Sequence, residues 1–548
     1  LNGQPLQYEI EMETIIIKRK NSIFPEKAEP HEKIQPLPPI QGIIRNAEGL
    51  PLPGASVKIK GTETGATTDA NGKFTLNANI GDVLAVSYVG YITQEITVTA
   101  FSDLSIQLVQ HDDNLSEIIV TAFGIEREKK ALGYSVQEVK GEMLTEARET
   151  NIANSLKGRI AGVFVNPSSA GPGGSSNVII RGNSSLTGNN QPLYVVDGVP
   201  IDNSNLDAAS NSEGRDYGDG ISNINPDEVE SVTVLKGPSA ASLYGARGSN
   251  GVILITTKKG SARKGIGVGL NSNATLEEPN VLPINQNKWG GGYSGNYGSF
   301  GTKIIDGVEY PLYTSSMYDH WGGEMDGRLI FVEALPELGL IPYTPQPDGN
   351  IRDFYRTGQT LTNTVSLSGG NQSTTFRASI SDLHNKHILP TTGLNRQTIS
   401  LNFSSAITKQ LTVEGRFSYV RQEGKNRPEL GFGNGAANVV NSLALMARFV
   451  DLDWLKDYKR PDGSMVNYQV RRPHNPYWIA NEMLSEDTRN RMMGYLSTRY
   501  QFTDWLTIKL RAGADFYNDL RFERTGIGTT GANTIRGGVK NPQWSVRE

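Results

Sequence analysis

Along most of its second half the chain alternates apolar and polar residues. The pattern is clear at Val365/Leu367, Phe376/Ala378/Ile380, Ile399/Leu401/Phe403, Leu411/Val413 with Phe417/Tyr419, Leu496/Thr498/Tyr500/Phe502 and Leu506/Ile508/Leu510/Ala512/Ala514/Phe516. Ser, Thr, Arg, Asn, Glu and Lys fill the positions between. A period of two predicts β-strands with one apolar and one polar face. With one more near Val268–Leu276, about seven are legible. A soluble sheet would show the same alternation, so the connections have to decide. Short turns at 369–373, 407–410 and 503–505 alternate with long segments at roughly 276–360 and 423–488. Short turns on one side and long loops on the other characterise outer-membrane barrels. The strands also exceed the ~9–11 residues that cross a bilayer at a tilt. Tyr500, Phe502 and Trp505 cluster at one short turn, as an aromatic girdle would.

Upstream the pattern changes. Val232–Leu235 and Val252–Thr257 are short, rich in β-branched residues and without alternation, which predicts strands covered on both faces. A short helix is predicted over Asn151–Arg159, with strands at 162–165 and Val178–Arg181. Gly171-Pro-Gly173-Gly174 and Gly245-x-x-Gly248-x-x-Gly251 have neither the GK[ST] nor the following helix of a phosphate cradle, so both read as turns. The stretch Asp202–Gly220 is polar and acidic and predicts a surface loop. A compact buried unit placed just before a barrel suggests a plug inside it. Earlier still, strands at Ile40–Arg45, Ser56–Ile59, Phe74–Leu76, Val83–Tyr88, Glu95–Val98 and Leu104–Leu108 recur at short intervals between turn residues, which argues a β-sandwich. Asp69-Ala-Asn71-Gly72 lacks the Glu a calcium loop needs, position 78 being Ala, and reads as a plain turn. Residues 21–39 hold Pro25, Pro30, Pro36, Pro38 and Pro39 and read as a semi-rigid linker. Residues 1–20 read as two strands, Tyr8–Glu11 and Thr14–Lys18.

Two segments carry a family resemblance. PLYVVDGVPID (192–202) and NPDEVESVTVLKGPSAASLYGARGSNGVILITTKKG (225–260) closely resemble the plug signature of SusC/RagA-type TonB-dependent outer-membrane transporters. GIIRNAEGLPLPGASVKIKGT, TTDANGKFTL and VSYVGY resemble the carboxypeptidase-regulatory-like domain that the family carries. The resemblance implies a mainly β chain: the tail of a secretin/TonB short N-terminal domain (1–20), the Pro-rich linker (21–39), a carboxypeptidase-regulatory-like β-sandwich (40–110), a TonB-box segment (111–125), a mixed α/β plug domain (126–262) and the first strands of a transmembrane antiparallel barrel (263–548). The family's barrel has 22 strands, as a plugged barrel needs, so this chain reads as an N-terminal part of it. Leu1 in place of Met, without a signal peptide, gives the same expectation upstream.

Within 111–125, Glu117-Ile118-Ile119-Val120-Thr121 is a strong strand former on a polar tether, the kind of segment a partner sheet captures by β-augmentation. It lies where the family carries its TonB box; the bland reading is a last sandwich strand or a lead-in to the plug. The resemblance implies import of a nutrient, oligosaccharide ahead of peptide. TonB with its inner-membrane energising complex would drive it, a SusD-like surface lipoprotein would act as lid, and the N-terminal domains would stand in the periplasm. The alternative is a signal-transducing receptor acting through residues 1–20 on an anti-sigma factor.

Composition removes other classes. The net charge of −4 over 548 residues offers no basic stripe for nucleic acid. No apolar run is long enough for a transmembrane helix. The absence of cysteine suits an outer-membrane route. His384 and His387 are read as solvated loop residues, and no nucleophile elbow, paired carboxylates or zinc motif stands out. No enzyme, cofactor or metal is therefore expected. For substrate, the candidates are Trp289, Tyr293, Tyr297, Tyr318 and Trp321 in the first long loop, with Asp202 and Asp216 in the acidic stretch. Aromatic faces among glycines either stack on sugar rings and anchor peptide side chains, or pack the loop on itself.

Overall fold

The computed structural model describes residues 6–11, 14–19 and 39–547, apart from 47–48, 63, 90, 101–102, 110–117, 121–125, 129–135, 147, 187, 206–208, 210–213, 238–243, 284, 293–300, 315–319, 432–437, 470–474 and 530–537. The chain forms two compact units, Leu1–Ser116 and Glu117–Glu548.

In the first unit, Leu6–Glu11 and Thr14–Arg19 pair as an antiparallel hairpin. Ile40–Arg45 is the centre of a three-stranded sheet with Lys73–Leu76 and Leu104–Gln107. Ser56–Ile59 and Val83–Ser87 are the inner strands of a four-stranded sheet edged by Gly65–Thr67 and Gln94–Thr97. Alternate residues of the two sheets, among them Ile44, Val57, Leu84, Val86 and Ile106, close a shared apolar core. The Asp69 turn is a plain one: its carboxylate accepts from the backbone of Asn71 at 2.9 Å and Lys73 at 2.8 Å.

The second unit begins with a three-residue ladder, Ile118–Val120 against Glu126–Glu128, which forms a two-stranded sheet of its own. A five-stranded sheet follows, in the order Val136–Lys140, Val229–Leu235, Val252–Thr257, Leu193–Val196, Val199–Pro200. All six residues of Val252–Thr257 are buried, as their unbroken β-branched run predicts. This sheet, with a two-stranded sheet of Val163–Pro167 and Ser176–Ile180 and a short helix at Gly141–Glu146, encloses a core that reaches Val420 and Met493 outside it.

Those two residues belong to an eight-stranded antiparallel meander. Its wall strands, first to eighth, are Arg263–Glu277, Gly358–Gly370, Thr374–Lys386, Gly393–Ala406, Leu411–Lys425, Met483–Gln501, Thr507–Thr525 and Gly538–Arg547. The register aligns Leu270, Val365, Ile380, Ile399, Tyr419, Met492 and Phe516 in one row across seven strands. These side chains face out, with Leu270 76% and Ile380 61% exposed. A row of opposite phase aligns Asn273, Thr362, Leu383, Arg396, Gln422, Arg489 and Asp519; the last five of these are buried, as is Thr362. The wall is thus apolar outside and polar inside, the reverse of a soluble sheet and the arrangement that lipid demands of a barrel. Tyr500 and Phe502 stack edge to face at 4.6 Å beside Trp505, which is 83% exposed, at a short turn.

The described parts of the long connections pack against one another. Segments 278–357 and 426–482 share a core in which Tyr313, Ile330, Val332, Phe449 and Trp478 are fully or almost fully buried. Other expectations fail locally. The stretch Asn151–Arg159 is a series of turns with one 3-10 turn at Asn154–Leu156, because the Asn151 side chain takes the Ala153 N–H and donates to Gly174 O instead of leaving the backbone to pair with itself. His384 and His387 are not both loop residues. His384 lies in the third wall strand, 2.7 Å from Asp382, and His387 is half-buried just past it, where burial and then Arg356 push its pKa down to about 4.

Candidate functional site

The plug and the wall meet through polar groups, and the residues of the sequence signature supply most of them. In VVDGVP, Asp197 occupies a turn with φ of +47°, tolerable for Asp. Its carboxylate takes the Thr257 N–H (2.9 Å) and hydroxyl (2.7 Å), which fastens the turn to the central plug strand. The guanidinium of Arg416, on the fifth wall strand, stands 3.5 Å away. In NPDEV, Asn225 caps a 3-10 turn by accepting from the Asp227 N–H. Asp227 then pairs with Arg148 at 2.5 Å and accepts from Asn271 at 2.7 Å and from the Thr364 hydroxyl. Glu228 pairs with Arg377 at 2.9 Å. Each acid so placed would cost heavily if left alone, and each has a cation or several donors.

The segment from Gly214 to Glu228 is the densest part of this seam. Arg491 forks onto Asp515 (2.8 and 2.7 Å) and reaches across to the carbonyls of Gly220 (2.6 Å) and Asp202 (2.9 Å). A Cβ at Gly220 would lie 1.9 Å from the Asp202 oxygen, so only glycine lets the two plug strands of chain converge on that guanidinium. Arg489 pairs with Asp519 at 2.8 Å, and Arg521 bridges the same carboxylate at 2.9 Å while lying over the Tyr217 ring at 4.0 Å. Tyr217 donates to Glu523 at 2.9 Å, and Arg215 holds the same Glu523 at 3.2 Å. Arg427 pairs with Asp487 at 2.6 Å and donates to Pro172 O at 3.2 Å.

The described residues of Asp202–Gly220, at 202–205, 209 and 214–220, therefore do not form the exposed surface loop that composition predicts. Arg215, Asp216, Tyr217 and Asp219 are buried, since arginines of the wall and donors of the plug replace water around them. Asp216 accepts from Ser175 N (2.9 Å), Ser175 Oγ (2.7 Å), Gly218 N (2.8 Å) and Asn205 (3.0 Å). Burial pushes its pKa up, but hydrogen bonds from Ser168, Ser175 and Gly218 outweigh burial and hold it below the usual carboxylate value. Beside it Asp219 accepts from Asn151, Ser176 and Ser222, yet burial outweighs those donors and, with Asp216 adding to it, pushes Asp219 up to about 6.

The described site residues fall in two places: Asp202 and Asp216 in the seam, and Trp289 and Trp321 on paired segments of the first long connection. Asp216 is a structural carboxylate in the seam, and Asp202 is half-buried, its carbonyl held by Arg491. Trp289 is half-buried, paired with Glu324 in an isolated bridge and topped by Lys288 Nζ at 4.9 Å. Trp321 is 61% exposed. Tyr293, Tyr297 and Tyr318 lie outside the described residues, as do Glu117 and Thr121; Ile118, Ile119 and Val120 form the ladder named above. The arginines of the seam went unnoticed in the sequence. Their signal was present as cations on the polar phase of strands whose other phase is apolar, at 396, 416, 489, 491 and 521.

Comparison with known proteins follows the same division. The TonB-dependent Receptor Plug Domain family matches residues 128–252, and the CarboxypepD_reg-like domain family matches residues 40–120. The chain is similar to the TonB-dependent receptor SusC of Bacteroides thetaiotaomicron, 32% identical over 409 residues, covering 74% of this chain and 35% of that protein. It is similar to the TonB-dependent receptor P26 of Formosa agariphila, 29% identical over 494 residues, covering 87% of this chain and 43% of that one. Among solved structures, the RagAB peptide importer in its open-open state shares the fold, with a TM-score of 0.53 and 22% identity over 76% of this chain and 44% of that chain. The chain spans less than half the length of each of these relatives.

Proposed function

Because this chain is a homologue of the TonB-dependent receptor SusC, with a plug domain and a carboxypeptidase-regulatory-like domain, we propose that it imports a nutrient across the outer membrane. One observation carries the reading: the wall is apolar outside and polar inside, and the plug covers the polar face. A sheet of this kind belongs in lipid around a stoppered lumen. The outer membrane has no ATP, so the work of opening comes from TonB, which adds a strand to Glu117–Thr121 and pulls. Among the described residues Ile118–Val120 pairs with Glu126–Glu128 alone, and an isolated two-stranded ribbon is marginal in water, so a larger sheet edge can replace Glu126–Glu128.

The seam suits such a stopper. Its contacts are directional ion pairs and hydrogen bonds, which water can replace one at a time as the plug shifts. Buried pairs fix position more than they add stability, and local units open far below the cost of global unfolding. A SusD-like lipoprotein completes the assembly as lid on the side of the long connections, with the N-terminal domains in the periplasm. Oligosaccharide is favoured over peptide as cargo, with Trp321 as an exposed ring among glycines for a sugar face. The test is uptake in cells with and without TonB, in wild type and in Ile119→Pro. Energy-dependent uptake that the substitution abolishes supports the reading; uptake of equal rate in all four overturns it. A second reading, signalling to an anti-sigma factor, is supported by the Leu6–Glu11 and Thr14–Arg19 hairpin ahead of the linker.

A further inference from the structure

A pocket of about 320 Å³ opens among the long connections, where the first wall strand ends and the second begins. Leu282, Pro283 and Ile351 give it apolar lining. Arg448 and Arg352 line it as well. The Arg448 side chain is 6% exposed and is locked by Asn287 (2.7 Å), Asp348 (2.7 Å) and Pro347 O (3.4 Å). The two segments that form this wall are sutured together by Gln346 N to Arg448 O (3.0 Å), Gln346 Nε2 to Phe449 O (3.1 Å) and Asn350 Nδ2 to Val450 O (2.8 Å). The pocket is therefore preformed on a rigid frame. Arg352 is exposed and gives one N–H to Pro279 O at 2.9 Å, leaving the rest of its fork for a ligand.

We infer that this pocket binds a carboxylate-bearing sugar residue, such as a uronic acid, in an oligosaccharide cargo. Two guanidiniums against the single carboxylate of Asp348 leave the pocket net positive, which favours an anion. Asn280 and Asn285 add carboxamides that both donate and accept, and Asp348 is 84% exposed as a further acceptor; these match ring hydroxyls. The apolar lining residues suit the carbon face of a pyranose. A peptide held by β-augmentation needs an open strand edge, and this lining draws on neither the wall strands nor the strands Gly301–Ile305, Val308–Tyr313, Leu329–Val332 and Leu340–Pro342.

The inference rests on the import reading and sharpens its substrate class. The test is calorimetric binding to the full-length protein in detergent, with trigalacturonate, with its carboxyl-reduced neutral counterpart, and with a tripeptide as free acid and as amide. Trigalacturonate is expected to bind at least about tenfold tighter than the neutral sugar, and Arg352→Gln to bring that ratio down to about one. Equal affinity for the two sugars, or an unchanged ratio in Arg352→Gln, overturns the pocket assignment. So does a preference for the free-acid tripeptide that the same substitution removes. TonB-dependent uptake of the neutral sugar, run in parallel, would show import standing even where the pocket assignment fails.

Discussion

Arg491 and Asp515, diagonal neighbours on the sixth and seventh wall strands, form a two-point ion pair whose guanidinium also grips two carbonyls of the plug, Gly220 and Asp202. One wall residue thus ties together two stretches of plug and two strands of wall. Removing it leaves the Asp515 carboxylate, its side chain 7% exposed, with the Asp202 N–H at 2.9 Å but no cation, a change that costs about 3–5 kcal/mol. Arg491→Ala should strip hydrogen-exchange protection from residues 201–205 and 214–224 and admit a large antibiotic that the outer membrane otherwise excludes, without TonB. Arg491→Lys keeps the charge without the fork and should fall between. Unchanged exchange in the Ala variant would contradict the role given to this pair.

That pair also shows what the sequence hides. Strands could be read wherever one residue in two faces lipid, as at Leu506 to Phe516, because the environment repeats with the period of the strand. The unbroken Val252–Thr257 run was equally plain. Asp202–Gly220 misled because the wall arginines that hold it come more than 250 residues later, Arg489 and Arg491 on its backbone carbonyls and Arg521 over the Tyr217 ring, and a local count of charges cannot register them. The shared core of 278–357 and 426–482 was invisible for a related reason. Tyr313, Ile330, Phe449 and Trp478 follow no period, since they meet only when two distant segments fold together. Helix Gly141–Glu146, six residues long, was too short to carry a pattern.

The acidic pair in the seam predicts a pH dependence. Burial pushes Asp219 up to about 6, against about 3.9 for an unfolded Asp. The folded chain holds that proton more tightly, so ionisation opposes the fold. Resistance of the 214–228 segment to proteolysis should fall as pH rises from about 4 to 6 and level off above. Asp216, held below its usual value, contributes stability that is lost only as the pH drops under that window. Asp219→Asn cannot titrate and should flatten the 4-to-6 slope; an identical slope would refute the assignment.

Ile119→Pro deletes a backbone donor from the segment that TonB is proposed to capture. Ligand affinity should stay within about twofold while energised uptake falls at least about tenfold, measured on the same labelled substrate. A parallel loss of binding would mean that the substitution had damaged the receptor itself.

The N-terminal hairpin separates the two readings of function. Deleting residues 1–20 should leave uptake at the parental rate and, if the signalling reading holds, silence substrate-induced transcription. Intact induction would leave that hairpin without the role.

The central claim is that the plug must move within the wall, and the chain's lack of cysteine makes a direct test clean. A Cβ built on Gly513, in the seventh wall strand, falls 3.4 Å from the Val199 Cβ in the plug turn, close to the ~3.5–4.5 Å that a disulfide spans. In the double variant Val199→Cys/Gly513→Cys, oxidation should abolish TonB-dependent uptake while substrate still binds, and reduction should restore it. Uptake at the parental rate with the cross-link fully formed would contradict the account.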